Sequence, residues 1–347
     1  MTTILGLDLG KFKSVACLYD PDTHQARYAT ISTDPDSVRD FLQRHRPDLV
    51  VFETCTIAGW VADTCGQLGL ACRVADPNHD AWRWSKVRRK TDRDDALKLA
   101  RMAALGELPT AHVPGPEARQ RRGLVAYRTR LVGRRTAIQN HRRALCQAHG
   151  LLLPAGHRAW TAAGRRLLVG LAREEPGTDP RELWRHELAL ELQALEEVMA
   201  RLDRLERALD TLGAADERVR LLETIPGVGR RTAEVIACYL DEPNRFTTAG
   251  EVAAYAGLVP RRFQSGEVDR TGRITKRGPR LLRKVLVEAA WLMLRYNPWA
   301  ARTFARLSRG QKARRKPALV AIARKLLVRC WAMLRHGQPW RAEPVLV

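Results

Sequence analysis

The chain has 347 residues, enough for two domains or one domain with a large insertion. Lysine and arginine number 60 against 38 aspartates and glutamates, leaving +22. Such an excess repels itself unless a polyanion is the usual partner, so nucleic acid leads over a basic protein that needs only solubility and over a membrane-surface protein.

The first elements are short strands. Thr3 to Asp8 and Ser14 to Tyr19 are apolar runs, broken by Gly10 and by Asp20-Pro21-Asp22, and Ala26 to Ser32 alternates in strand fashion. The spacing predicts an antiparallel meander. Asp36 to His45 reads as a helix with Val38, Phe41 and Leu42 on one face, Asp48 to Glu53 as a buried strand, Trp60 to Leu68 as a helix and Ala71 to Ala75 as a strand. The order β-β-β-α-β-α-β is that of a ribonuclease H-like sheet, with the first and fourth strands adjacent.

Beyond Asp76 the pattern is helical. Asp92 to Leu105 and the arginine-studded Pro116 to His149 are helices, followed by hinges at Leu153-Pro154-Ala155-Gly156 and Glu175-Pro176-Gly177. Leu188, Leu192, Leu195, Met199, Leu202, Leu205, Leu209 and Leu212 form a near-heptad seam, which suits pairing with another subunit or packing within the chain. Leu221 to about Arg335 reads as short helices and basic loops. No run of about 18 apolar residues is present to span a membrane. Met1 to Leu5 has no basic region before its apolar run, so no signal peptide is expected. The seven cysteines are scattered without a Cys-x-x-Cys pair, which fits a reducing cytoplasm better than a zinc site.

Four carboxylates stand out. Asp8 closes the first strand and Glu53 the fourth, so neighbouring strands bring them to one sheet edge. Asp92 and Asp95, three apart, share a helix face, while Asp94 points to solvent. Hard divalent ions take oxygen ligands, and a pair of them can clamp the attacking and leaving oxygens of a phosphoryl transfer. Singly, each acid also reads as a turn or helix-cap residue; the set in this strand order favours function. Gly6-Leu7-Asp8-Leu9-Gly10 also resembles the phosphate loop of the actin and sugar-kinase ATPases. That reading lacks a second glycine-rich nucleotide loop, and the charge opposes it.

In the C-terminal part, Ile225-Pro226-Gly227-Val228-Gly229-Arg230-Arg231 looks like the turn of a helix-hairpin-helix, where Gly227 and Gly229 let backbone N–H groups approach a phosphate. A plain turn is the alternative. Arg270, Arg273, Lys276 and Arg277 form a basic run after Ser265-Gly266, and Ser265 is open between a nucleophile and an ordinary loop residue. On the long helix, Arg128, Arg135 and Arg142 recur every seven residues as a candidate RNA-binding face, or a solvated one.

Together these residues resemble the DEDD transposases of the insertion-sequence family 110/1111, which use a bridge RNA. The resemblance covers about residues 3 to 150, through Gly6-Leu7-Asp8, Phe52-Glu53 and Lys90-Thr91-Asp92-x-x-Asp95-Ala96. It also covers about 221 to 295, through Ile225-Pro226-Gly227-Val228-Gly229, Ala256-Gly257-Leu258-x-Pro260, Ser265-Gly266 and Gly272-x-Ile274-x-Lys276-x-Gly278. It implies a RuvC-like domain whose Asp8, Glu53, Asp92 and Asp95 hold Mg²⁺, or Mn²⁺ in its place, and a transposase domain whose Ser265 attacks DNA. It further implies a structured guide RNA, donor and target DNA, and a dimer or tetramer with composite sites.

The expected architecture is α/β then mostly α. Residues 1–150 form a ribonuclease H-like (RuvC-like) domain, 151–218 a coiled-coil connector and 219–347 a helical transposase domain. The expected function is RNA-guided DNA recombination. The alternatives are a Holliday-junction resolvase using the same acids with water, and a non-catalytic nucleic-acid-binding protein.

Overall fold

The computed structural model describes residues 2–77, 91–265 and 268–341. Lys90 and Gly266, which belong to the motifs above, lie outside the described residues. The chain divides into two compact units, Met1–Arg119 and Gln120–Val347.

The first unit is built on five strands: β1 (Ile4–Asp8), β2 (Lys13–Tyr19), β3 (Ala26–Ser32), β4 (Leu49–Glu53) and β5 (Ala71–Ala75). Their spatial order is β3-β2-β1-β4-β5. β1, β2 and β3 pair antiparallel, whereas β4 runs parallel to β1 and β5 parallel to β4. This is the ribonuclease H-like order that the sequence predicts. β1 and β4 are buried on both faces, which is why they read as continuous apolar runs. β3 is an edge strand, half-buried only at Ala26, Ala29 and Ile31.

Helices cover both faces. On one, Leu5, Leu7, Val50 and Phe52 meet Val38, Phe41 and Leu42 of α1 (Pro35–His45) and Val61 and Cys65 of α2 (Ala58–Gln67). On the other, Ile4, Cys17 and Val51 meet Ala96, Leu99, Ala100 and Ala103 of α3 (Asp92–Ala104). That second contact is close: a Cβ on Gly6 would run into the Ala96 carbonyl oxygen. Gly6→Ala should therefore push α3 off the sheet and cost about 3 kcal/mol. Urea denaturation checks it, and a loss below about 1 kcal/mol would mean that the helix sits further from the strand than described.

The second unit is helical apart from one ribbon. Its long helices are α4 (Pro116–Ala148), which starts at the end of the first unit, and α6 (Leu183–Ala215); α5 is Ala162–Leu171. Much of the leucine seam on α6 is satisfied within the chain. Leu188 and Leu192 pack with Cys146, Leu168 and Trp184, and Leu209 packs with Val125, Val235 and Cys238. Met199 is 43% exposed and Leu190, beside the seam, 54%. A second core joins α7 (Glu217–Glu223), α8 (Arg230–Leu240), α9 (Ala249–Tyr255), α10 (Arg280–Tyr296) and α12 (Arg315–His336), with α11 (Pro298–Ser308) packed beside it.

The stretch expected as basic loop is in fact a two-stranded antiparallel ribbon, β6 (Pro260–Ser265) with β7 (Val268–Ile274). Among its described residues only Ile274 is partly buried. With both faces in water there is no inward side to be apolar, so the period-two signal of a strand is missing from the sequence.

Candidate catalytic and nucleic-acid-binding sites

Strand register settles where the acids sit. β1 and β4 pair from Ile4↔Leu49 to Leu7↔Phe52, so Asp8 and Glu53 stand side by side, one residue beyond, at the C-terminal ends of both strands. Alternation turns Ile4, Gly6 and Asp8 toward α3. The helix runs back along β1: Arg101 lies over the Tyr19 ring, paired with Ile4, while Ala96 lies over Gly6. Its N-terminus, with Asp92 and Asp95, therefore points to the end of the sheet that carries Asp8 and Glu53.

Local chemistry sorts the acids of α3. Thr91 is the N-cap, and its hydroxyl accepts from the Asp94 N–H while Asp94 Oδ2 accepts from the Thr91 N–H and hydroxyl (3.1 and 2.7 Å). This capping box uses Asp94 and explains the dense acidic run. Asp94 and Asp92 are exposed, whereas Asp95 is buried, 8% exposed. Asp8 and Glu53 are half-buried. All four offer hard oxygen donors of the kind that Mg²⁺ takes. No three side chains of His, Cys, Asp or Glu among the described residues are gathered closely enough to hold a metal ion. What favours the fit is the donor chemistry and the backbone convergence.

Ser265 is not in an open loop but at the tip of the ribbon, paired across it with Val268. Pairing and alternation put Ser265, Phe263, Val268 and Arg270 on one face. On the other, Arg262 grips Asp269 through Nε and Nη2 (3.0 and 2.7 Å). Phe263 is 62% exposed, a large apolar group in water that the sequence reading passed over. Arg270, Arg273, Lys276 and Arg277 are all exposed.

The base of the ribbon is clamped. Gly257 has φ +64° and Gly278 φ +76°; a Cβ on the first would meet the Arg277 carbonyl oxygen and on the second that of Tyr255. Arg283 donates through Nη1 to the carbonyls of Ala256, Arg277 and Gly278 at 3.0, 2.7 and 3.1 Å. Those close approaches are the physical reason for glycine in Ala256-Gly257-Leu258 and in Lys276-x-Gly278.

The segment expected as a helix-hairpin-helix forms α7, a turn and α8, with Ile225 and Val228 buried beneath the turn. Gly227 has φ +93° and backs onto Met293 of α10, so its missing side chain serves packing. Gly229, the N-cap of α8, has open space around it, which suits a phosphate. The arginines that follow are engaged in the fold. Arg230 pairs with Glu223 (3.3 Å) and Arg231 with Asp210 (2.7 Å) and Glu234 (2.8 Å). Burial pushes the Glu234 carboxyl above its ordinary range despite Arg231.

The expected RNA face of α4 requires correction. Arg142 is 2% exposed, with its guanidinium 5.1 Å from the Trp160 ring centroid, and burial lowers its pKa. Arg128 pairs with Glu206 at 2.6 Å, and Arg135 is half-buried. Seven-residue spacing marks a packed seam as readily as a charged face; the buried Leu131 and Cys146 flank the same stripe. The exposed arginines of this helix include Arg130 and Arg134.

Known proteins match this chain along most of its length. A family model described as "Transposase IS116/IS110/IS902 family" matches residues 219–306, and one for DEDD transposases of the IS110 type matches residues 5–149. A probable family 20 transposase of Pseudomonas aeruginosa is 32% identical over 97% of this chain and 98% of its own. The transposase for insertion sequence element IS1111A of Coxiella burnetii is 28% identical over 84% and 79%. The pilin gene-inverting protein of Moraxella lacunata is 32% identical over 35% and 38%.

Proposed function

The chain belongs to the IS110/IS1111 family of transposases, enzymes that cut and rejoin DNA, and from that premise we propose that its two family blocks share one reaction. Asp8, Glu53, Asp92 and Asp95 hold Mg²⁺, and Ser265 is the nucleophile. A bound divalent ion would polarise the scissile phosphate and lower the pKa of the attacking hydroxyl. The observation that carries this reading is the register of β1 against β4, which puts Asp8 beside Glu53 at the end of the sheet faced by the N-terminus of α3.

The Ser265 Oγ gives up its proton and bonds to phosphorus. One P–O bond to sugar breaks, and the departing oxygen takes a proton. The product is a serine–phosphate ester, which keeps the energy of the lost bond until a second strand's hydroxyl displaces the serine. Arg270, on the same ribbon face as Ser265, steadies the phosphate, while Arg273, Lys276 and Arg277 hold the flanking backbone. The backbone at Gly229 adds sequence-independent DNA contact.

Guidance by a structured RNA is the second half of the proposal. It is supported by the +22 charge and by exposed arginines such as Arg130 and Arg134 on α4. Assembly into at least a dimer is supported by the exposed apolar Leu190 and Met199 on α6. Purified protein with its co-purifying nucleic acid should join two DNA duplexes, and ribonuclease treatment should abolish joining while leaving general DNA binding. Undiminished joining after ribonuclease would leave a recombinase that finds its sites without RNA.

A further inference from the structure

Between Glu288 and Glu343 the sequence holds no acidic residue, while arginines and lysines recur throughout. Elsewhere in the second unit several arginines are neutralised by carboxylates of the fold, as Arg128, Arg230 and Arg231 are. Within this stretch no carboxylate side chain can do the same.

On α12, Arg324 and Lys325 are exposed, and Arg329 follows one turn later. The Arg329 guanidinium lies 4.1 Å from the Trp299 ring centroid and 4.6 Å from that of Trp340. The two indoles meet edge to face, 5.5 Å apart. Beside them opens a cleft of about 560 Å³ lined by Trp299, Ala321, Arg324, Lys325, Val328 and Arg329. It adjoins the helix-hairpin-helix turn: the Trp340 N–H donates to Thr224 Oγ1 at 3.1 Å, and Asn297 Nδ2 donates to the Pro226 carbonyl at 3.4 Å. Asn297 also caps α11, the helix that carries Trp299.

We propose that this cleft binds one unpaired nucleotide of DNA, its base against Trp299 and Arg329 and its phosphate at Arg324 and Lys325. The chemistry commits the occupant. An aromatic ring with a guanidinium against it is a platform for the flat face of a base, and the exposed cations beside it suit an anion. A base inside a duplex has both faces covered by its neighbours, so only an unpaired base offers one. The cleft has the size of a small-molecule site, roughly 300–1,000 Å³, rather than of a groove that wraps a helix. DNA is the partner that family membership supplies, and exchanging strands unpairs bases beside the cut. The inference rests on the DNA-binding reading of the hairpin but not on the carboxylates or Ser265.

The test is binding in EDTA, where cleavage is not required. Fluorescence anisotropy would compare labelled oligo-dT of about twelve nucleotides with a duplex and an oligo-U of equal length. Trp299→Ala and the double variant Arg324→Ala/Lys325→Ala should each weaken oligo-dT binding about tenfold and leave duplex binding within about twofold. Equal losses on duplex and single strand would reduce the cleft to plain surface charge, and a loss confined to oligo-U would reassign it to RNA. No loss in the double variant would overturn the proposal. Should Trp299→Ala misfold by circular dichroism, the double variant, altered only at exposed positions, decides alone, with Trp299→Phe expected to retain binding. A wild-type protein that binds no duplex would overturn the hairpin reading instead.

Discussion

Ser265→Ala should abolish both recombination and the denaturation-resistant protein–DNA adduct, a loss of roughly 10³-fold or more in strand joining, while DNA binding stays at the wild-type level. The substitution removes one oxygen from an exposed ribbon tip that packs against no core, so stability is not at stake. A free serine hydroxyl is a weak nucleophile and needs activation, which is why the adduct should also depend on a divalent ion. The wild-type adduct, digested and sequenced, should map to the peptide containing Ser265. Joining requires that the energy of the broken phosphodiester be stored, and in the proposed reaction the serine ester would store it. A variant that still cuts DNA at the normal rate would show that water is the nucleophile and that the acids work as in a hydrolytic resolvase.

The acids should matter as much. Glu53→Gln and Asp95→Asn each keep the shape but replace one acceptor oxygen by an NH2 donor and remove a charge from the sheet end where Asp8 also sits. Each is expected to lower cleavage by roughly 10³-fold, and EDTA should do the same to the wild type, with Mg²⁺ restoring it. Binding to duplex DNA should hold or tighten slightly, because one anion facing phosphate is gone. Asp94→Asn is the internal control. Its carboxylate closes the capping box with Thr91, so the change should cost about 1 kcal/mol of stability and little activity. Full cleavage in EDTA would remove the metal site from the reaction.

The parts of this molecule that were legible in the sequence are those where burial writes a pattern. β1 and β4 read as strands because both their faces are covered, and their adjacency followed from the order of elements. Asp95 separated from Asp94 because helical spacing gives the two different faces. The ribbon β6–β7 was illegible because no side of it is buried. Arg142 misled for the opposite reason: charge suggested solvent, while its place in the stripe of Leu131 and Cys146 is interior. Gly227 was recognised as a turn residue, yet its contact with Met293 depends on α10, a helix distant in sequence. The cleft at Trp299 is likewise assembled from two segments, α11 and α12, that only the fold brings together.

The clamp at Gly257, Gly278 and Arg283 has a consequence for fidelity. It fixes where the arm bearing Ser265 begins, but a two-stranded arm in water is only marginally stable by itself. The final ångströms of the position of Ser265, the proposed nucleophile, are therefore set by whatever the arm rests on. A DNA that engages Phe263 and Arg270 in register supplies that support; one that binds only through the basic surface does not. On the proposed mechanism, encounter and incision become separate decisions: DNA would be scanned by charge alone and chemistry reserved for the few sites that complete the arm.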